Sequence, residues 1–276
     1  MKNIFITLLL AVSVFAGRSQ VKMPQPSPTQ IIKQDFAMGN IELTYSRPAA
    51  RDRKVFGDLV PYGKIWRTGA NSATIIKFSE PVEIKGKKID TGSYALYTIP
   101  GIDNWEIILN KGITNWGTSG YKESEDVIRF KVATEKYKNE TENFTMLFDN
   151  IKPESCELSI IWDKTSVVIP ISANIKDKLR MQLETAFKGE KKPYFQAAQF
   201  YNEYDKNYPL ALENINKATA ENSKGYWLFL YKAKIQKQMG DMEGARMSSN
   251  KSLEIATTEK NDDYIKLNRD FLKELK

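Results

Sequence analysis

Arg47, Trp66, Arg67, Asn71 and Trp116 are the side chains of this 276-residue sequence best suited to hold a ligand. Arg47 precedes Pro48, which biases its backbone toward an extended form. A guanidinium can fork a carboxylate or a phosphate. Trp66 and Trp116 each offer an apolar face with one donor, a surface that stacks on sugars or packs in a core. Asn71 supplies a donor and an acceptor together. The mixture suits a glycan fragment or a small anionic ligand. Three of these residues lie in or close the run Leu59-Val60-Pro61-Tyr62-Gly63-Lys64-Ile65-Trp66-Arg67-Thr68-Gly69-Ala70-Asn71. That run is too irregular for a helix face and too rich in Gly and Pro for a plain strand. It reads as a structured loop, a kind of segment that often carries function on a rigid scaffold. A second reading fits the same residues: arginines near Asp52, Asp58 and Glu80 tie a long loop to a sheet, and Trp66 plugs the open end of a sandwich. Asn115-Trp116-Gly117 and Tyr121 likewise form either an aromatic loop beside a ligand or packing over a sheet edge.

Catalytic chemistry is narrowly bounded. The sequence has no histidine and one cysteine, Cys156. A Ser-His-Asp or Cys-His pair cannot be assembled, and histidine- or thiolate-ligated metal sites are ruled out. No Asp-rich calcium loop appears, and no glycine loop of the nucleotide-binding types. No metal and no cofactor is therefore implied. Glu106, between Trp105 and Ile107, is the carboxylate best placed to act as a general acid or base. A glycoside hydrolase would need a second one about 5–10 Å away, and the sequence does not identify it. Cys156 sits in an alternating apolar run and reads as a small buried residue.

The elements that must position these groups follow two periods. Up to about residue 175 apolar residues alternate: Ile41, Leu43, Tyr45; Val82, Ile84; Trp105, Ile107, Leu109; Phe144, Met146, Phe148; Val167, Ile169, Ile171. Strands alternate because successive side chains point to opposite faces. About nine or ten short strands with glycine turns predict an antiparallel β-sandwich over 20–175. Beyond Ile175 the period becomes helical. Phe195 and Phe229, Ala211 and Ala245, Asn216 and Asn250, and Lys217 and Lys251 stand 34 residues apart, the period of the tetratricopeptide helix hairpin. Gly240-Asp241-Met242-Glu243-Gly244-Ala245 resembles that repeat's inter-helix turn, while Asn207-Tyr208-Pro209 departs from it. Two copies need caps, which residues 176–188 and 262–275 can supply. The expected fold class is α+β in separate domains, the sandwich followed by a small all-α helical-hairpin repeat domain over 176–276. Its density of Tyr, Phe and Trp reads as core or as a peptide groove.

The start, Lys2 followed by the apolar run Ile4–Phe15 and small residues, describes a secretory signal peptide over 1–19, leaving Gln20 first. The apolar run is too short to span a bilayer, and no later segment is apolar enough, so no integral membrane segment is expected in the mature chain. A formal net charge of +7 is spread without a basic stripe, so no nucleic-acid partner is expected.

Tyr45-Ser46-Arg47-Pro48, Arg53-Lys54-Val55-Phe56-Gly57, the run from Val60 to Asn71, and Gly92-Ser93-Tyr94-Ala95-Leu96-Tyr97-Thr98-Ile99-Pro100 resemble an exported bacterial family catalogued as domain of unknown function 2911. Trp105 through Asn110, Asn115-Trp116-Gly117 and Tyr121 fit its later blocks, and the resemblance covers about residues 24–173. It implies an envelope location, an all-β domain and frequent C-terminal helical-repeat extensions, and it brings no catalytic residues. The expectation is a periplasmic or secreted, non-catalytic binding or scaffolding protein of the cell envelope, whose helices would meet an envelope protein partner. The alternative is a carboxylate-based hydrolase acting on envelope glycans. Convergence of the loop after Pro61 with the loop around Trp116 discriminates: with two carboxylates it favours the enzyme, without them the binder, and no convergence leaves a structural module.

Overall fold

The computed structural model describes residues 23–275. The expected signal peptide lies outside the described residues, as do residues 20–22 that were expected to follow it. Nine strands form one continuous antiparallel sheet: β1 (Thr29–Phe36), β2 (Gly39–Ser46), β3 (Thr74–Phe78), β4 (Val82–Ile84), β5 (Lys87–Ile89), β6 (Gly92–Ile99), β7 (Asn104–Asn110), β8 (Asp126–Lys152) and β9 (Ser155–Ser172). Their order is β1-β2-β3-β6-β7-β8-β9-β4-β5. Two of the strands are long where short ones were expected. β8 and β9 continue through bends rather than turns, and the β8–β9 register shifts between Lys136 and Thr141 and again before Thr145. Bulges of this kind bend a strand without ending it.

The bend folds the sheet on itself. The first part of β8 pairs with β7; the part beyond Ala133 pairs with β9, and β9 with β4. One core lies between the two layers. β2, β3, β6 and β7 contribute Leu43, Ile76, Leu96 and Ile107, and β8 and β9 contribute Phe144, Met146, Ile160, Trp162 and Ile169. Period-two alternation is what allows this, because each strand turns one apolar row inward. A corner of the sandwich is closed by the chain leaving β2: Phe144 N donates to Pro48 O at 2.8 Å, and Ala50 N to Glu142 O at 2.8 Å. The Tyr45 hydroxyl bridges the same corner, accepting from Met146 N at 2.9 Å and donating to Gln30 Oε1 at 2.7 Å. Cys156 is buried in this core, and burial pushes its thiol up to about 11.

Six helices follow: α1 (Lys176–Ala186), α2 (Tyr194–Gln199, prolonged by a wider turn over Phe200–Tyr204), α3 (Tyr208–Glu221), α4 (Tyr226–Gln238), α5 (Met242–Thr258) and α6 (Asp262–Glu274). The 34-residue spacing is visible in their packing. Ala211 of α3 and Ala245 of α5 are both fully buried, where small side chains let helices approach. Asn207 and Asp241, also 34 apart, cap α3 and α5 by accepting from Leu210 N and Gly244 N. The segment Asn207-Tyr208-Pro209 thus does by an asparagine cap what the second copy does by its aspartate. α1 buries no side chain. It is held by Lys176 and Arg180 on Asp205, at 2.8 and 2.7 Å, and by Lys178 on Glu80.

Candidate functional site

The site begins where the sheet is buried on both faces. Register places Ala95 between Ile75 and Asn110, and Tyr97 beside Ile108, on the outer face of the first layer. Ala73, Ala95, Tyr97 and Ile108 form a second small core there, with Ile65, Ile75, Ile99 and Tyr121 packed on it. An outer face left to water would be polar; this one is apolar because residues 63–73 and 111–122 lie over it.

The first of these loops enters as a short extension of the sheet. Trp66 N donates to Thr98 O at 2.7 Å and Thr98 N to Trp66 O at 2.9 Å. Alternation turns Trp66 inward and its neighbours outward. The Trp66 ring stacks on Trp162, with centroids 6.0 Å apart, and meets Phe144, Phe56 and Trp105 edge-on. Its Nε1 donates to Gly69 O at 3.0 Å, and it is only 8% exposed. Trp66 therefore plugs the end of the sandwich and borders no open space. Arg47 is also engaged internally: Nε donates to Phe144 O at 3.1 Å and Nη2 to Thr145 Oγ1 at 2.8 Å.

Beyond Arg67 the backbone is strained. Thr68, Gly69 and Asn71 have φ of 54°, 146° and 59°. Glycine and asparagine accept such values cheaply, whereas a β-branched threonine does not. A Cβ at Gly69 would stand 2.9 Å from Ser46 O, so the chain passes too close to β2 for any other residue. Thr68 is held by its neighbours: its carbonyl accepts from Thr74 Oγ1, and its hydroxyl donates to Thr98 Oγ1 at 3.2 Å.

The strained segment then meets the second loop. Gly117 N donates to Asn71 O at 3.1 Å, Ala73 N to Asn115 O at 3.4 Å, and Ser72 bridges Trp116. The loops after Pro61 and around Trp116 therefore converge. Asn71 and Trp116 come together on one groove of about 420 Å³, walled by Gln25, Pro26, Ser27 and Thr29 of the N-terminal segment and by Thr44, Ser46 and Ser72. Asn71 Nδ2 donates to Ser27 O and Ser46 Oγ, each at 3.2 Å, and so fixes the N-terminal wall. Trp116 is 68% exposed and borders this hydroxyl- and amide-lined space. The lining carries no charged side chain.

Arg67 stands beside the junction rather than in the groove wall. Its Nη1 and Cδ lie 3.7 and 3.8 Å from where a Cβ on Gly117 would be. Its Nε is buried without a hydrogen-bond partner. Burial lowers the pKa of its guanidinium.

Glu106 is not free. Arg129 Nη1 meets Glu106 Oε2 at 3.3 Å and Arg129 Nη2 meets Asp126 Oδ2 at 2.9 Å, so one guanidinium joins the two carboxylates. Tyr121 completes the cluster, donating to Asp126 Oδ2 at 2.8 Å and accepting from Arg129 Nη2 at 2.7 Å. Burial, then the Asp126 hydrogen bond, pushes Tyr121 up to about 12. Asp126 and Arg129 are polar and three apart on a strand, a spacing that gives no signal in the sequence. The groove's N-terminal wall was equally silent, because serine and proline before a strand look like any leader. Among the described residues no cluster of acidic or cysteine side chains is placed to hold a metal ion, and no helix is long and apolar enough to cross a membrane.

A family model described as a protein of unknown function, DUF2911, matches residues 27–171. These residues span the sheet and every residue of the groove except Gln25 and Pro26. No curated protein matches the chain.

Proposed function

We propose that this chain, which belongs to the DUF2911 family, is an exported, non-catalytic binding module of the cell envelope. Its ligand would be a polar small molecule or glycan fragment seated in the groove under Trp116. One observation carries the reading: two loops held by a strained backbone meet at an open groove bordered by an exposed indole. Hydroxyl and amide groups below an aromatic face are the chemistry that recognises a polyhydroxyl ring. The groove lining holds no carboxylate, and Glu106 is already paired, with Asp126, by Arg129; both argue against the hydrolase reading. On this reading the signal peptide delivers the chain to the periplasm or beyond. The hairpins α2–α5, read as tetratricopeptide-like, would present a surface to an envelope protein.

The test uses the indole signals of the five tryptophans in a nuclear magnetic resonance titration against cell-wall and exopolysaccharide fragments. The Trp116 signal, assigned by Trp116→Phe, should move with at least one of them while Trp66 stays still. If the whole panel leaves Trp116 unmoved, the groove is not a glycan site.

A further inference from the structure

An arginine with no acid beside it needs an explanation. Buried polar groups nearly always have hydrogen-bond partners, and Nε of the partly buried Arg67 has none. Among the described residues Arg67 makes no salt bridge and no side-chain hydrogen bond, and its Nε is sealed from water. Two other arginines of the sandwich show the contrast: Arg47 forks a carbonyl and a hydroxyl, and Arg129 joins two carboxylates. Arg67 is also held in place, because its carbonyl accepts from Thr74 N at 3.1 Å and its side chain lies against Gly117. It stands beside the Asn71–Gly117 hydrogen bond, one residue from the exposed Trp116. The groove lining has no formal charge to oppose it.

We infer that Arg67 is the anion-reading residue of this site, and that the ligand carries a carboxylate or phosphate that pairs with its guanidinium while the rest lies against Trp116. This rests on the groove reading and narrows it to acidic ligands, such as a uronic acid or a sugar phosphate. A charge-assisted fork of this kind is strong and directional, and it would give the guanidinium, which has no acidic partner among the described residues, a counter-charge.

The full mature protein is titrated with glucuronate, glucose and inorganic phosphate, following the Trp116 indole signal and the melting temperature. Glucuronate should bind about ten- to a hundredfold more tightly than glucose. Arg67→Gln should erase that difference and leave the ligand-free melting temperature equal or higher. Phosphate alone should raise the wild-type melting temperature and not that of Arg67→Gln. Arg67→Lys, which keeps charge and stem, should retain part of the preference and serves if Arg67→Gln does not fold. Equal binding of glucuronate and glucose overturns the inference and leaves the groove reading intact. A melting temperature that falls by several degrees in Arg67→Gln and in Arg67→Lys overturns it too, since Arg67 would then be structural. No response to any of the three probes removes both.

Discussion

At the scale of single residues, Trp66 and Trp116 show how one residue type serves two ends. Both follow turn-rich sequence, and both looked like ligand surfaces. Trp66 touches four other aromatic rings, and edge-to-face packing adds to its area burial. Trp66→Ala should therefore cost about 3–5 kcal/mol in chemical denaturation, whereas Trp116→Ala should change stability by no more than about 0.5 kcal/mol. A Trp66→Ala loss as small as that of Trp116→Ala would mean that the aromatic cluster does not organise the core. The difference between the two was not legible in the sequence. It depends on Thr98, which pairs with Trp66 across the sheet and fixes which way the indole turns. Glu106 failed to read for a similar reason: its partner Arg129 is 23 residues away and meets it only because β7 and β8 are neighbours.

At the scale of elements, what was readable is what local periodicity encodes. β2 and the inner rows of β7 and β9 follow strict alternation, and the 34-residue spacing foretold that Ala211 and Ala245 would sit alike. β6 was harder, because loops bury its outer face and blur its period. The continuity of β8 and β9 was harder still, since a bulge has no short-range signature. α1 is the element least committed to its place. With no buried side chain, it depends on Asp205, whose carboxyl is held below its ordinary value first by the hydrogen bond from Lys176. A lowered folded-state value gives a contribution that is complete above the ordinary value of 3.8 and is lost as pH falls through the folded one. Asp205→Asn should thus lower the amide-exchange protection of 176–186 at neutral pH, with the sheet unchanged, and acid below pH 3.8 should do the same to the wild type. Unchanged protection in the variant would show that α1 is held by something other than its ion pairs.

At the scale of the whole molecule, the sheet and the helices hold separate cores. The contacts joining them include the Lys178–Glu80 pair and Ile175 N donating to Glu154 Oε1 at 3.2 Å. A chain of residues 20–175 should therefore fold alone, with a β-type circular dichroism spectrum and a cooperative melt. An unfolded product would mean one shared core. Within the sheet no such division exists. Tyr45 is bonded to Met146, and Phe56 and Trp66 pack on Trp162, so the strands made first are covered only by the strands made last. Synthesis runs at about 5–20 residues per second, which puts on the order of ten seconds between the two. Throughout that interval β1, β2 and β3 have no second layer to pack against. The long-range pairing that makes the finished sandwich hard to take apart is also a timer. In an exported chain, as proposed above, such a delay would leave the sandwich unlocked during threading.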